Sequence, residues 1–202
     1  MPDPFGWFRQ KKAQGPKERP AIVIGLGNPG EKYAGTRHNV GFRCLDLVGQ
    51  RAGMTLNDRR KQADLGQGRL ASESVVLAKP RTFMNHSGIA ARYLVDRFGT
   101  KPDRVLVVLD DMDLPLGKVR LKASGGSGGH NGLNSINAEL GTSDYPRLRI
   151  GIGRPKGNVI RHVLDAFSAE DEQTLAEALE AAAQVVETWV EHGVDHAMNE
   201  FN

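Results

Sequence analysis

Residues 21–39 read AIVIGLGNPGEKYAGTRHN: an apolar strand runs into a glycine-rich turn, and a single histidine follows. Residues 21–24 are small or β-branched, the composition of a buried strand. Gly25, Gly27 and Gly30 are expected to carry the backbone through conformations closed to other residues. Asn28 sits inside that turn. Its amide presents a donor and an acceptor at a strand end, where open α/β sheets bind ligands. His38 is the nearest group able to move a proton near neutral pH. The stretch thus predicts an α/β fold with a site above its first strand, pairing one polar group held by the turn with one titrating group on the following loop.

The same glycines satisfy G-x-G-x-x-G, the dinucleotide fingerprint. That motif needs a helix opening at its third glycine and an acid ending the next strand about 20 residues on. Here Gly30 is followed by EKYAGTRHNVG, interrupted by Gly35 and Gly41, and the plausible helix begins near Asn39, a good N-cap. Asp46 has the right offset but falls inside that helix. The pattern therefore argues against a dinucleotide site.

With 202 residues and 39% hydrophobic side chains, the chain suits one domain with a substantial core. Its single cysteine, Cys44, excludes an internal disulfide and lies among apolar residues, as a small buried hydrophobe does. There is no apolar run of membrane-spanning length and no apolar leader, so the cytoplasm is the expected compartment. Residues 1–20, rich in Pro, Gly and charge, read as a flexible tail, although Phe5, Trp7 and Phe8 offer docking groups. Residues 21–202 then make up the single domain.

The formal charge of +3 conceals segregated blocks. Residues 114–161 carry eight basic side chains against Glu139 and Asp144, whereas residues 162–202 carry ten acids and no Lys or Arg. Such blocks bear on partners more than the global balance does.

Beyond the opening turn, residues 40–52 have helical spacing, and residues 65–71 and 74–79 read as paired strands ended by Pro80. In RTFMNHSGIAARYLVDRFG, Ile89, Tyr93, Leu94 and Phe98 form a helical stripe, and Asn85 and Ser87 precede it as potential caps. Residues 105–109 are continuously apolar, as a central strand covered on both faces must be, and end in Asp110, Asp111 and Asp113. Carboxylates at that end of a strand suit chemistry better than packing. In GKVRLKAS and RLRIGIG the cations alternate with apolar residues, which sets Lys118, Arg120, Lys122, Arg147 and Arg149 on one face. Their repeat of about 6.6 Å is comparable with phosphate spacing along a nucleic-acid backbone. Between these strands, SGGSGGHNGLNSINAELG joins a glycine loop to a helix over 131–140, a combination suited to an oxygen-rich group. Ser168 caps a long helix ending near His192. His192 and His196 are spaced for zinc, but the segment offers no further ligands, so no metal is expected.

The blocks GLGNPGEKYAGTRHNVG, KPRTFMNHSG, DDMDLPLGKVRLK, GGSGGHNGL and RLRIGIGRP, in that order, resemble bacterial-type peptidyl-tRNA hydrolases over residues 22–200. The resemblance implies a monomeric α/β fold, with residues 21–202 as a single catalytic α/β domain built on a twisted mixed sheet surrounded by helices, without metal or organic cofactor. It implies hydrolysis of the ester between a peptide and the 3′-terminal ribose of tRNA, with peptidyl-tRNA as partner rather than DNA or a membrane. On this resemblance His38 corresponds to the catalytic histidine and Asp110 to the acid that orients it. Asn28, Asn85 and Asn131 line the cleft, with Tyr33, Met84 and His130 lining or shaping it. Lys122 and Arg149 match a clamp for the tRNA 5′-phosphate. His86, Ser127 and the longer tail depart from the pattern, and none touches a catalytic position.

The residue types make chemical sense of that assignment. Ester hydrolysis needs an activated water, and an imidazole, with an ordinary pKa of about 6.5, can take its proton at neutral pH. Developing charge on the carbonyl oxygen needs a preorganised donor such as an asparagine amide. The sequence leaves open which of the three asparagines supplies it. No nucleophile elbow is present, which disfavours a covalent acyl-enzyme. Two rivals remain: an RNA-binding relative without turnover, for which His38, Asp110 and three asparagines would be superfluous, and a nucleotide-dependent oxidoreductase, which would bind NAD.

Overall fold

The computed structural model describes residues 19–155 and 157–202. Phe5, Trp7 and Phe8 of the expected tail lie outside them. In chain order the first half comprises β1 (Ala21–Gly25), α1 (Val40–Arg51), β2 (Asp58–Arg59), β3 (Ala63–Leu70), β4 (Glu73–Pro80) and α2 (Ser87–Phe98). The second half comprises β5 (Val105–Asp111), β6 (Val119–Lys122), α3 (Asn131–Leu140), β7 (Arg147–Gly151), α4 (Val159–Leu164), α5 (Ala169–His192) and α6 (Val194–Phe201). The strands form one mixed sheet in the order β2-β3-β4-β1-β5-β7-β6. The central pairs β4–β1, β1–β5 and β5–β7 are parallel, and the flanking pairs are antiparallel. β1 and β5 are buried at every residue because helices cover both faces. Ala21 and Val23 face α1, α5 and α6, whereas Ile22 and Ile24 face α2 and α3. No helix among the described residues is long and apolar enough to cross a membrane.

The glycines of the opening turn have two different roles. Only Gly30 lies in the left-handed region, at φ 105°. Gly25 and Gly27 are there for proximity, contrary to the reading of all three as turn formers. A Cβ on Gly25 would lie 2.4 Å from the Gly41 carbonyl, and one on Gly27 would meet the Phe42 ring. α1 therefore docks its first turn directly onto the backbone that leaves β1. It opens at Val40, well beyond Gly30, so the third glycine starts no dinucleotide-binding helix. Asn39 precedes α1, but its side chain does not cap the helix.

Two other expectations shift in detail. The apolar stripe of α2 is rotated: Ile89 is exposed, while Ser87, Gly88, Ala90, Ala91 and Leu94 are buried. Small residues win that face because α2 packs closely on α3, where a Cβ on Gly88 would sit 2.1 Å from the Ser135 carbonyl. Asn85 makes no cap bond either; a short 3₁₀ turn precedes the helix instead. By contrast, Ser168 accepts the Asp171 amide at 3.1 Å and caps α5 as read. Acids of α5 turn toward arginines of α1: Arg43 meets Glu172 through two bonds of 2.9 and 2.7 Å, and Arg51 reaches both Glu180 and Glu187. The edge strand β6 is closed at Leu121 by the Asn202 amide, which exchanges two 2.9 Å bonds with its backbone.

Cys44 is fully buried, and burial pushes its thiol up to about 12. It is inert packing, as its neighbours in the sequence indicate. The closest helix–sheet contact supplies a sharper test. Gly41→Ala would place a methyl 2.5 Å from the Val108 carbonyl and 2.6 Å from the Leu26 amide. It is expected to cost about 3 kcal/mol in urea denaturation, whereas Gly35→Ala, which meets nothing within 4 Å, is expected to be nearly neutral. Equal stability of the two variants would contradict this account of the turn.

Candidate active site

A cleft of about 610 Å³ opens at the carboxyl ends of β1 and β5, the usual ligand position in parallel sheets. β5 ends there in Asp110 and Asp111, which are 4% and 7% exposed. Alternation along the strand sends the two carboxylates to different partners. Asp110 receives His38 Nδ1 at 2.8 and 3.0 Å and His130 Nε2 at 3.1 Å. Burial alone would push this carboxyl up. The His130 and His38 imidazoles, through charge and hydrogen bonds, more than offset it and hold the group well below the usual carboxylate range.

The tautomers follow from these contacts. An ionised carboxylate only accepts, so His38 donates from Nδ1, and in the neutral ring the lone pair is then on Nε2. His130 caps α3: its Nδ1 accepts the Gly132 and Leu133 amides at 3.1 and 3.4 Å, which leaves Nε2–H to donate to Asp110. His38 itself rides on a 3₁₀ turn over Arg37–Asn39 that is stapled to the approach to α5. Thr36 bridges Ala166, and the Arg37 guanidinium donates to the Ala166 carbonyl at 2.9 Å.

Asn28 is buried and doubly fixed. Asn39 Oδ1 accepts its amide N–H at 2.8 Å, and Asn39 Nδ2 donates to its carbonyl at 2.9 Å. Asn28 Oδ1 in turn accepts the Met84 amide at 2.9 Å. Nδ2 is then the donor left for the cleft. Asn85 and Asn131 also line the cleft and are exposed, as is Lys122, while Met84 is buried in its wall. Tyr33 stands apart from that wall and packs edge-on against Phe83 with ring centroids 6.3 Å apart. Arg149 lies in the cleft in an ion pair with Asp111, its side chain 22% exposed. Arg147, read from alternation as one of the outward cations, is instead 1% exposed.

Sequence reasoning missed two residues here. Asn39 was read as a helix cap although it adjoins His38, and Arg147 was hidden in the cationic alternation. Asn39 meets Asn28 eleven residues back, and Arg147 is drawn inward by the Gly125 and Gly126 carbonyls more than twenty residues back, which no spacing rule exposes. His38, Asp110 and His130 also form a cluster of three candidate metal ligands. Both nitrogens of His130 already have partners, however, so ligation would forfeit its bond to Asp110 or its cap on α3.

An imidazole–carboxylate pair beside asparagine amides, at the carboxyl ends of the parallel centre of a mixed sheet and next to a basic strand face, defines the class: an α/β protein with a polar cleft at its strand ends. A sequence model described as peptidyl-tRNA hydrolase matches residues 22–202. A peptidyl-tRNA hydrolase of Syntrophomonas wolfei is 48% identical over 181 residues, covering 90% of this chain and 99% of that protein. One from Shouchella clausii is 45% identical, with 90% and 99% covered. The crystal structure of peptidyl-tRNA hydrolase from Acinetobacter baumannii superposes with a TM-score of 0.86 at 35% identity, covering 91% of this chain and 95% of that one. The chain belongs to the peptidyl-tRNA hydrolase family.

The depressed Asp110 carboxyl makes a stability prediction. A group whose folded pKa is lowered contributes fully above its unfolded value of about 3.9, and loses that contribution as the pH falls toward the folded value. Between about pH 5 and about pH 2.5, the native protein should therefore lose more stability in urea titrations than Asp110→Asn. Parallel pH profiles would show that the carboxylate is not held ionised by its imidazoles.

Proposed function

We propose that this protein hydrolyses the ester linking a peptide to the 3′-terminal ribose of tRNA, with His38 as general base. The observation that carries the reading is the Nδ1 contact to Asp110, which leaves His38 Nε2 as the acceptor in the cleft. A water placed between Nε2 and the ester carbonyl loses its proton to the imidazole as its oxygen bonds to the carbonyl carbon. Asp110 stabilises the imidazolium that forms. The oxyanion takes a hydrogen bond from a fixed donor, and Asn28 Nδ2 suits that role because Oδ1 is committed to the Met84 amide. Collapse of the tetrahedral intermediate breaks the bond to the ribose 3′-oxygen, which leaves with the proton from His38 Nε2. The products are a free peptide carboxyl and tRNA with an intact 3′-hydroxyl. Asn85 and Asn131 are positioned to hold water or the peptide backbone from the cleft rim.

Recognition of tRNA belongs to the basic side of the cleft. Lys122 and Arg149 meet the 5′-phosphate, which fixes register without reading sequence. Arg149 arrives already oriented by Asp111, so a phosphate shares a prepositioned guanidinium rather than recruiting a free one. The protein acts as a cytoplasmic monomer on peptidyl-tRNA and not on DNA. Turnover distinguishes this reading from an RNA-binding relative, which would retain tRNA without cleaving the ester.

His38→Ala should reduce kcat on peptidyl-tRNA by at least about a thousandfold while leaving tRNA affinity and the melting profile nearly unchanged; full activity in that variant would end the mechanism. Lys122→Ala and Arg149→Ala should chiefly raise KM, each lowering the salt slope of tRNA binding by about one. An effect confined to kcat would remove the clamp.

A further inference from the structure

Arg147 is a buried cation that forms no ion pair among the described residues. Strand register sets it opposite Lys122, on the face of β6 and β7 where alternation groups the basic residues. Its neighbours on that face reach solvent or Asp111, but its guanidinium is turned under the glycine loop that follows β6. Nη1 donates to the carbonyls of Gly125 and Gly126, and Nη2 to those of Ser143 and Tyr145. Nε alone lacks a partner, and the guanidinium lies 4.5 Å above the Tyr145 ring. The Tyr145 hydroxyl in turn donates to Asn137 of α3 at 2.6 Å.

The loop has little else to hold it. Cβ atoms added to Gly125, Gly126, Gly128 or Gly129 would meet nothing within 4 Å, so side-chain packing does not confine this segment. Gly125, Gly128 and Gly129 adopt positive φ, a freedom that carries a large ordering entropy. The far end of the loop is His130, which caps α3 and donates to Asp110. We infer that Arg147 is a positioning residue of the proposed hydrolase: it straps the first half of the glycine loop to β7, and thereby sets where the second half delivers His130 and Asn131 to the cleft. It is not a phosphate ligand, since its Nη donors are spent on backbone carbonyls and Nε is buried out of reach of solvent. The residue type fits the task. A guanidinium spreads its donors over a planar fork that can hold two chain segments at once, whereas an ammonium concentrates them at one point.

The inference rests on the hydrolase reading, and the test separates the two. Arg147→Lys should remain folded by thermal melt and lose about tenfold or more in kcat, with KM changed less than about threefold. The salt slope of its tRNA binding should match wild type, whereas Arg149→Ala loses about one unit. Subtilisin should nick residues 124–129 of the variant several times faster, a readout independent of turnover. Wild-type kcat with wild-type nicking would overturn the strap. So would a salt slope lowered by about one with kcat intact, which would make Arg147 a phosphate ligand. If the lysine variant does not fold, Arg147→Gln takes its place. Failure of both would also overturn the inference, because the guanidinium would then serve the whole fold and not the loop. An inactive wild type would sink the hydrolase reading, while nicking would still judge the strap.

Discussion

A carboxylate withdrawn from water must be given hydrogen-bond donors or it will not stay ionised, and Asp110 is the point where that demand shapes this molecule. Its two donors come from segments far apart in the chain: the turn ahead of α1 supplies His38, and the start of α3 supplies His130. Each histidine is committed elsewhere as well. His130 satisfies amides at the N-terminus of α3, and the His38 turn is stapled to the approach to α5. The bonds that assemble the His38–Asp110–His130 cluster are thus tied to those that register three helices against the sheet.

Close approach is the second constraint. α1 and α2 reach their neighbours through glycines, at Gly25 and Gly41 against the central strands and at Gly88 against α3. A helix docked this tightly onto the exit of β1 leaves room for the Asn39 side chain to pair with the Asn28 backbone. The amide that faces the cleft is therefore fixed by packing two steps removed from it.

The electrostatics divide along the same architecture. Acids concentrated near the end of the chain fold back onto the arginines of α1, a surface pairing that contributes little to stability but consumes like-signed blocks. The edge strand β6 and the residue before it keep Lys118, Arg120 and Lys122 exposed. Part of the acidic block is thus paired with arginines, while the cations of the basic strands stay unpaired among the described residues or line the cleft.

Periodicity and end signals determined much by themselves. The buried central strands, the helix over 131–140 and the Ser168 cap are local properties of side-chain pattern and capping chemistry, and they stand where the sequence puts them. Asn28, His38 and Asp110 stood out as candidates because glycine turns and strand ends are local too, whereas His130 was singled out only by the family resemblance. Only the tertiary structure decided which glycines serve proximity and which face of α2 is buried. It also decided that Asn39 fixes Asn28 instead of capping α1, and that Arg147 turns inward among cations that turn out. Each of these depends on an atom contributed by a distant segment, and no pattern of neighbours along a chain encodes where such an atom will lie.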